Sequence, residues 1–267
     1  MIGILFLGFK EILDALNLNF TIRCKELIIL LFNGIDPNTS HTSIFCTSAL
    51  LHVPLSMPKR IHFFIWLIPS CAFLALLLAL RLYDGKIASF LFLQKNSFFR
   101  LDVWKFITYL GDGIAAAVLV AFLIIKKNKE LALKILLVWL IGAGIAQGLK
   151  NTIYAQRLRP VEWFKQKNLP LAIPDGHEPH RTHSFPSGHT TTAFGIWGMM
   201  AFYTHRKRYA LAFAFLAILA AWSRIALFQH FPADVVAGGL IGTCSIFAAI
   251  GLARWLEQKY PQLRNYR

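Results

Sequence analysis

Long apolar stretches separated by short polar connections occupy most of this chain after residue 61. A stretch of about 20 apolar residues is long enough to cross the hydrocarbon core of a bilayer as an α-helix. Six such stretches predict an all-α fold, a polytopic six-transmembrane-helix bundle. They are His62–Leu82, Ile107–Ile125, Leu131–Leu149, Thr190–Tyr203, Tyr209–Phe228 and Ala233–Trp255.

The fourth stretch and the segment before the second stretch differ from this pattern. The fourth stretch is the shortest, so we expect its helix to begin earlier, at Ser187 or Gly188. Before the second stretch, the segment Ile87–Lys105 mixes apolar residues with the charged residues Arg100 and Asp102. That mixture is typical of an amphipathic helix at the membrane interface, and we do not count it as a crossing.

The first 56 residues differ from the rest of the chain. Their apolar pieces, such as Ile2–Phe9 and Leu27–Phe32, are too short to cross a bilayer. Met57 is followed by the basic pair Lys59-Arg60 and then by the first clean stretch. We therefore divide the chain into an N-terminal extension, residues 1–56, and a membrane-embedded domain, residues 57–267. The extension is either a poorly ordered segment upstream of the true start, or an accessory segment on the membrane surface.

Composition agrees with a membrane protein. The chain is 56% hydrophobic and 15% charged, whereas soluble domains average about 25% charged residues. The net charge of +15 would suggest nucleic acid in a soluble protein. Here much of the basic charge flanks apolar stretches. A lipid bilayer and a phosphorylated lipid are therefore the expected partners, and no nucleic acid is expected.

Three short polar strings lie at the ends of apolar stretches, where a charge is costly unless it has a function. In a six-helix bundle the chain alternates between two faces. The end of the third helix, the start of the fourth, the end of the fifth and the start of the sixth then share one face. The strings are Lys150 with Arg157 and Arg159-Pro160, then Pro186-Ser187-Gly188-His189, then Ser223-Arg224 with His230 and Asp234.

The residue types in these strings suit phosphoryl transfer. That reaction needs positive charge around three phosphate oxygens, an in-line nucleophile and an acid for the leaving oxygen. Lysine and arginine side chains supply the charge, and backbone N–H groups at a helix start bind anions. The two histidines fit the nucleophile and the acid. Asp234, four residues after His230, is placed to accept the Nδ1–H of that histidine.

The three strings resemble the signature of the type 2 phosphatidic acid phosphatase superfamily, which also contains vanadium haloperoxidases. The last two strings match the pattern of that family without a gap. The first departs from it, because Leu158 follows Arg157 at the usual spacing and the arginine-proline pair comes two residues later. We favour Arg159 for the phosphate contact and keep Arg157 as the alternative.

The resemblance implies a membrane-integral bacterial lipid phosphatase without a metal or another cofactor. It would hydrolyse a lipid-linked phosphate or diphosphate monoester through a phosphohistidine. His230 would be the nucleophile, Asp234 its orienting partner, and His189 the acid on the leaving group. The residues expected to bind phosphate are Lys150, Arg159, Ser187, Gly188, Arg224 and, as the alternative, Arg157.

Other interpretations stay open at this point. The fold could serve a vanadate-dependent haloperoxidase, or a non-catalytic transporter or scaffold. Ser187 and Asp234 could simply cap helices. His177, His180 and His183 in the long loop before the fourth stretch could bind zinc, although solvated loop histidines more often bind nothing.

The distribution of basic residues predicts an orientation. The connection between the second and third stretches carries Lys126, Lys127 and Lys129, and the connection between the fourth and fifth is similarly basic. Short basic connections lie in the cytoplasm by the positive-inside rule. We therefore predict a multi-pass protein of the cytoplasmic membrane, with both termini in the cytoplasm and the active site facing the outside or periplasm.

Overall fold

The structure, a computed structural model, describes residues 57–83, 85–97, 100–173 and 180–260, with side chains from residue 61 onward. The predicted extension, residues 1–56, lies outside the described residues, as does His177. The division of the chain at residue 57 therefore stays a prediction.

The described residues form helices joined by turns, in agreement with the predicted all-α class. A 3₁₀-helix, Thr108–Gly111, lies between the third and fourth α-helices. The α-helices are α1 Met57–Tyr83, α2 Gly85–Lys95, α3 Leu101–Ile107, α4 Gly113–Ile125, α5 Lys129–Thr152, α6 Pro160–Gln166, α7 Gly188–Tyr203, α8 Lys207–Ala226 and α9 Pro232–Lys259.

Helix α7 is the centre of the bundle. It begins at Gly188, as predicted, and packs against α5, α8 and α9. Eleven of its sixteen residues are buried. On α9, a Cβ atom at Gly238 would lie 2.5 Å from the carbonyl oxygen of Ser187. Glycine at this position therefore lets α9 approach the start of α7 closely, which brings two of the three polar strings together.

The number of membrane crossings is supported in part. Among the described residues, α1, α5, α8 and α9 are long and apolar enough to span a bilayer. Residues 101–111 and 113–125 pass the same test as a pair, bent by 53°, which would give five. Helix α7 rises only about 24 Å at 1.5 Å per residue, less than the ~30 Å hydrocarbon core. Most of its residues are buried among other helices and not exposed to lipid. The count of six crossings stays a prediction.

The segment predicted to be one interfacial helix is instead two short helices, α2 and α3. The side chains of Asn96 and Ser97 bond back to the carbonyl oxygens of Phe92 and Leu93, at 2.7 and 3.1 Å. Such bonds compete with the backbone pattern of a helix and favour its termination. The location of these helices at a membrane interface stays a prediction.

Candidate active site

The ends of three helices meet at the place where the polar strings lie. The Lys150 ammonium, in the last turn of α5, is 3.7 Å from the position that a Cβ atom would take at Gly188. The backbone N–H of Ser187 donates to the carbonyl oxygen of Asp234 at 2.9 Å, which joins the starts of α7 and α9. The structure therefore brings all three strings to one end of the bundle.

The spacing between Arg224 and His230 reflects a tight turn. After α8 ends, the backbone N–H groups of Gln229 and His230 both donate to the carbonyl oxygen of Arg224, at 3.0 and 3.1 Å. Phe228 adopts a positive φ of 55°, which lets the chain reverse direction. This turn folds His230 back beside the arginine, and the residue is 1% exposed.

Asp234 is held close to His230 but does not bond to it. The distance from His230 Nδ1 to Asp234 Oδ2 is 3.7 Å, too long for a hydrogen bond. The same carboxylate oxygen accepts from the Ser184 hydroxyl at 2.5 Å and from the backbone N–H of Phe231 at 2.9 Å. In this structure the carboxylate therefore accepts from these two donors and not from His230, and its role as the orienting partner of His230 stays a prediction. By accepting from the N–H of Phe231, Asp234 also caps the start of α9, as the capping interpretation expected.

The structure separates the two candidate arginines of the first string. Arg159 is 7% exposed, and its Nε donates to the carbonyl oxygen of Thr182 at 2.9 Å. Its Nη1 donates to the side-chain oxygen of Gln229, the residue before His230. Arg157 has an exposed side chain. Arg159 is thus the arginine that lies among the other site residues.

Arg224 reaches the site from the last turn of α8. Its Nη1 donates to Thr108 Oγ1, on the 3₁₀-helix, at 2.5 Å. Within the part of the chain that the structure describes, its buried Nε has no hydrogen-bond partner. A buried guanidinium with an unused donor is suited to an anionic ligand.

His189 faces a carboxylate that the sequence analysis did not consider. Its Nε2 is 3.8 Å from Asp112 Oδ2, and both side chains are partly exposed. Asp112 begins α4, where it accepts from the backbone N–H of Ile114. The preceding 3₁₀-helix is tied to α7 by Trp197, whose Nε1 donates to the carbonyl oxygen of Leu110 at 2.9 Å. That contact holds Asp112 near His189.

The predicted contribution of Ser187 needs correction. Its backbone N–H is occupied by the carbonyl oxygen of Asp234, and its hydroxyl caps α7 by accepting from the N–H of Thr190 at 3.4 Å. The serine therefore shapes the helix start and does not present its own N–H to a ligand. The N–H groups of the first helical turn, beginning with Gly188, are still predicted to bind the anion.

The electrostatics of the site favour a neutral His230. Its burial, followed by the positive charges of Arg159, Arg224 and Lys150, lowers the pKa of His230 well below its ordinary range. A neutral imidazole keeps a lone pair on one ring nitrogen. The same cations that oppose protonation of the ring would attract a phosphate.

The possible metal site in the loop gains no support from the residues that can be described. His180 and His183 are exposed, and Nδ1 of His183 is 2.9 Å from the hydroxyl of Thr182. In the described ranges, no three His, Cys, Asp or Glu side chains are grouped so as to hold a metal ion. His177, the third histidine of that hypothesis, is not among these residues.

Sequence reasoning missed four polar residues that contact the predicted site. Asp112 had a signal, because glycines flank it on both sides and mark a break between helices. Gln229 is adjacent to His230, but nothing in the sequence indicates its contact with Arg159. The four are Thr108, Asp112, Ser184 and Gln229.

Residues 131–258 match the model of the PAP2 superfamily, and this segment includes all three strings. The resemblance drawn from the strings is thereby confirmed.

Two proteins from other organisms are similar to this chain. A lipid A 1-phosphatase of Rhizobium johnstonii is 34% identical over 114 residues. That match covers 40% of this chain and 44% of the relative, so the chain spans less than half the length of this curated protein. The crystal structure of Aquifex aeolicus LpxE superposes with a TM-score of 0.52 at 24% identity, covering 62% of this chain and 94% of LpxE. This likeness shows a shared fold.

Proposed function

We propose that this protein is an integral-membrane phosphatase that removes a phosphate from a lipid through a phosphohistidine on His230. The main observation behind the proposal is that His230 is buried at the end of the bundle where the three polar strings meet, and that burial and the nearby positive charges of Arg159, Arg224 and Lys150 lower its pKa. The match of residues 131–258 to the PAP2 superfamily and the lipid A 1-phosphatase relative support a hydrolase of this class.

In the first step, a ring nitrogen of His230 attacks phosphorus. The bond between phosphorus and the lipid oxygen breaks, and His189 gives a proton to that leaving oxygen. Arg159, Arg224 and Lys150 stabilise the negative charge on the three remaining oxygens. His230 Nε2 is the attacking atom, because Nδ1 faces Asp234.

As His230 loses its lone pair to phosphorus, its ring becomes positively charged. A shift of Asp234 toward Nδ1, from the present 3.7 Å, would convert the contact into a charge-assisted hydrogen bond. In the second step, His189 accepts a proton from water as the water oxygen attacks the phosphohistidine. Inorganic phosphate leaves, and His230 returns to its neutral state.

The relatives favour one substrate class among several. Undecaprenyl diphosphate, phosphatidic acid, phosphatidylglycerol phosphate and a lipid A-like glycolipid phosphate all carry the required group. The phosphate of a lipid A-like glycolipid is our first choice, since one relative bears the name lipid A 1-phosphatase. The test is release of inorganic phosphate by purified protein from a panel of these lipids. Absence of release from the entire panel would contradict the proposal.

The active site is proposed to face the outside or periplasm, with both termini in the cytoplasm. The basic connections between α4 and α5 and between α7 and α8 lie at the end of these helices opposite to the site. The positive-inside rule assigns those connections to the cytoplasm. A haloperoxidase of the same superfamily is a weaker candidate, because the apolar helices α1, α5, α8 and α9 are suited to a bilayer.

Phosphatase activity is expected to survive EDTA and to be inhibited by vanadate. Arg159, Arg224 and Lys150 supply three positive charges, so the transition state does not need a metal to balance its charge. Vanadate mimics five-coordinate phosphorus and would bind to the same three positively charged side chains. Phosphate release is measured with each reagent. Loss of activity on chelation, with recovery on adding zinc, would contradict the proposal and favour the loop histidines.

Ser184→Ala is expected to lower kcat by about tenfold with a smaller change in KM. The Ser184 hydroxyl donates to Asp234 at 2.5 Å, and a hydrogen bond to a charged group contributes about 1.5–3 kcal/mol. Ser184→Thr keeps the hydroxyl and should recover most of the rate. The measurement is the kcat and KM of both variants by steady-state kinetics. Equal rates for the alanine variant and the wild type would mean that Ser184 does not contribute to catalysis.

A further inference from the structure

Asp112 is a carboxylate that faces His189, the proposed acid on the leaving group. The distance from its Oδ2 to Nε2 of His189 is 3.8 Å, which is within ion-pair distance but too long for a hydrogen bond. Both side chains are 32% exposed, so the pair lies where a ligand can reach it. The two steps proposed for His230 give this carboxylate no role.

The backbone that carries Asp112 packs directly against His189. A Cβ atom at Gly111 would lie 2.5 Å from the carbonyl oxygen of His189, so glycine is needed for this close approach. Trp197, about two turns further along α7, donates from Nε1 to the carbonyl oxygen of Leu110 at 2.9 Å. These two contacts fix the start of α4 relative to the start of α7, and with it the separation of the carboxylate from the histidine.

Helix capping fixes the orientation of the Asp112 side chain. Its Oδ1 accepts from the backbone N–H of Ile114 at 3.4 Å, at the start of α4. The cap uses Oδ1 and leaves Oδ2 directed at His189. In Asp234, by contrast, the oxygen that faces the other histidine already accepts two hydrogen bonds. Of these two carboxylates, Asp112 is therefore the one whose oxygen toward the histidine is not used by the cap.

A protonated His189 adds a positive charge to a site that already contains cations. The Lys150 ammonium lies 3.7 Å from the position that a Cβ atom would take at the residue before His189. The Arg224 guanidinium bonds to Thr108, on the 3₁₀-helix that leads to Asp112. Nearby cations oppose protonation of an imidazole, whereas a nearby carboxylate favours it. Asp112 is placed to offset these cations.

We propose that Asp112 is a positioning residue for the general acid, whose carboxylate orients the His189 ring and stabilises its protonated form. This role rests on the proposed phosphatase function. In the first step, the protonated ring gives its proton to the lipid oxygen as the bond to phosphorus breaks, and in the second step it takes a proton from water. Asp112 exchanges no proton. It stabilises the charged ring before the first step and after the second.

Asp112→Asn removes the charge and keeps the cap, because asparagine caps helices as well as aspartate does. The test measures release of the leaving group in a single turnover from two substrates. The alkoxide that leaves from phosphatidic acid needs a proton, whereas the phenolate that leaves from an alkyl-substituted nitrophenyl phosphate does not. We expect the variant to lower the rate on phosphatidic acid by about tenfold to a hundredfold, and the rate on the aryl phosphate by less than about threefold.

Two further variants show whether Asp112 acts through His189. In a His189→Gln background, Asp112→Asn should cause no further loss on phosphatidic acid, because residues that act as a unit are not additive. Asp102→Asn is the matched control, since it removes an exposed carboxylate from α3. It should leave both rates within about twofold of the wild type, as is usual for surface positions.

Three results would overturn the role of Asp112. They are an unchanged rate on phosphatidic acid, equal losses on the two substrates, and a loss in the His189→Gln background as large as in the wild type. The phosphatase proposal stands in each case, because the wild-type protein still releases phosphate. If the wild type hydrolyses neither substrate, the proposed function is contradicted and the role of Asp112 fails with it.

Discussion

His230→Ala should reduce phosphate release by about a thousandfold or more, since removal of a covalent nucleophile leaves only the binding contribution to catalysis. No other group replaces it in the proposed step, because His189 is assigned to the leaving oxygen and Ser187 is committed to the cap of α7. The measurement is single-turnover phosphate release from the best lipid of the panel. The protein should remain folded in detergent.

The matched control for this variant is His205→Ala. His205 is an exposed histidine between α7 and α8, at the end of the bundle opposite to the site. Its removal should leave the rate within about twofold of the wild type, as is usual for surface positions. More than a trace of activity in His230→Ala would mean that another group attacks phosphorus.

Arg159→Ala should cost more than Arg157→Ala when both are assayed on phosphatidic acid. A direct charge-assisted contact to phosphate contributes about 1.5–3 kcal/mol, equivalent to roughly tenfold to over a hundredfold in kcat/KM. Arg159 is buried beside Gln229 and Thr182, whereas Arg157 is exposed. A larger loss for Arg157→Ala would reassign the phosphate contact to the arginine at the usual family spacing.

Arg159→Lys separates charge from geometry in the same experiment. A lysine keeps the charge but lacks the planar guanidinium that reaches Thr182 through Nε and Gln229 through Nη1. We expect this variant to recover less than a tenth of the wild-type rate. Full recovery would mean that Arg159 acts as a simple positive charge.

Helix positions and the gathering of the polar strings could be predicted from the sequence. The length of the apolar stretches predicted α1, α5, α8 and α9, because about 20 apolar residues are enough to cross a bilayer as a helix. Alternation of helices between two faces predicted that Lys150, His189 and Arg224 would meet. These predictions depend on periodicity and length, which are local properties of the sequence.

Side-chain partners could not be predicted in the same way. The contact between Ser184 and Asp234 joins residues 50 positions apart. It is the reason that Asp234 stands 3.7 Å from His230 and does not bond to it. The bend at Asp112 places a carboxylate near His189 through a contact of Trp197 with Leu110, 87 positions away. Such contacts depend on how the helices pack, and they cannot be predicted from helix propensity or from the spacing of residues in the sequence.

Trapping the covalent intermediate tests the phosphohistidine mechanism directly. Wild-type protein is mixed with a lipid carrying a labelled phosphate, quenched in base with detergent, and digested for mass spectrometry. The phosphohistidine mechanism predicts label on the peptide that contains His230, stable in base, lost in acid and absent from His230→Ala. Label on a serine, stable in acid, would contradict the phosphohistidine mechanism.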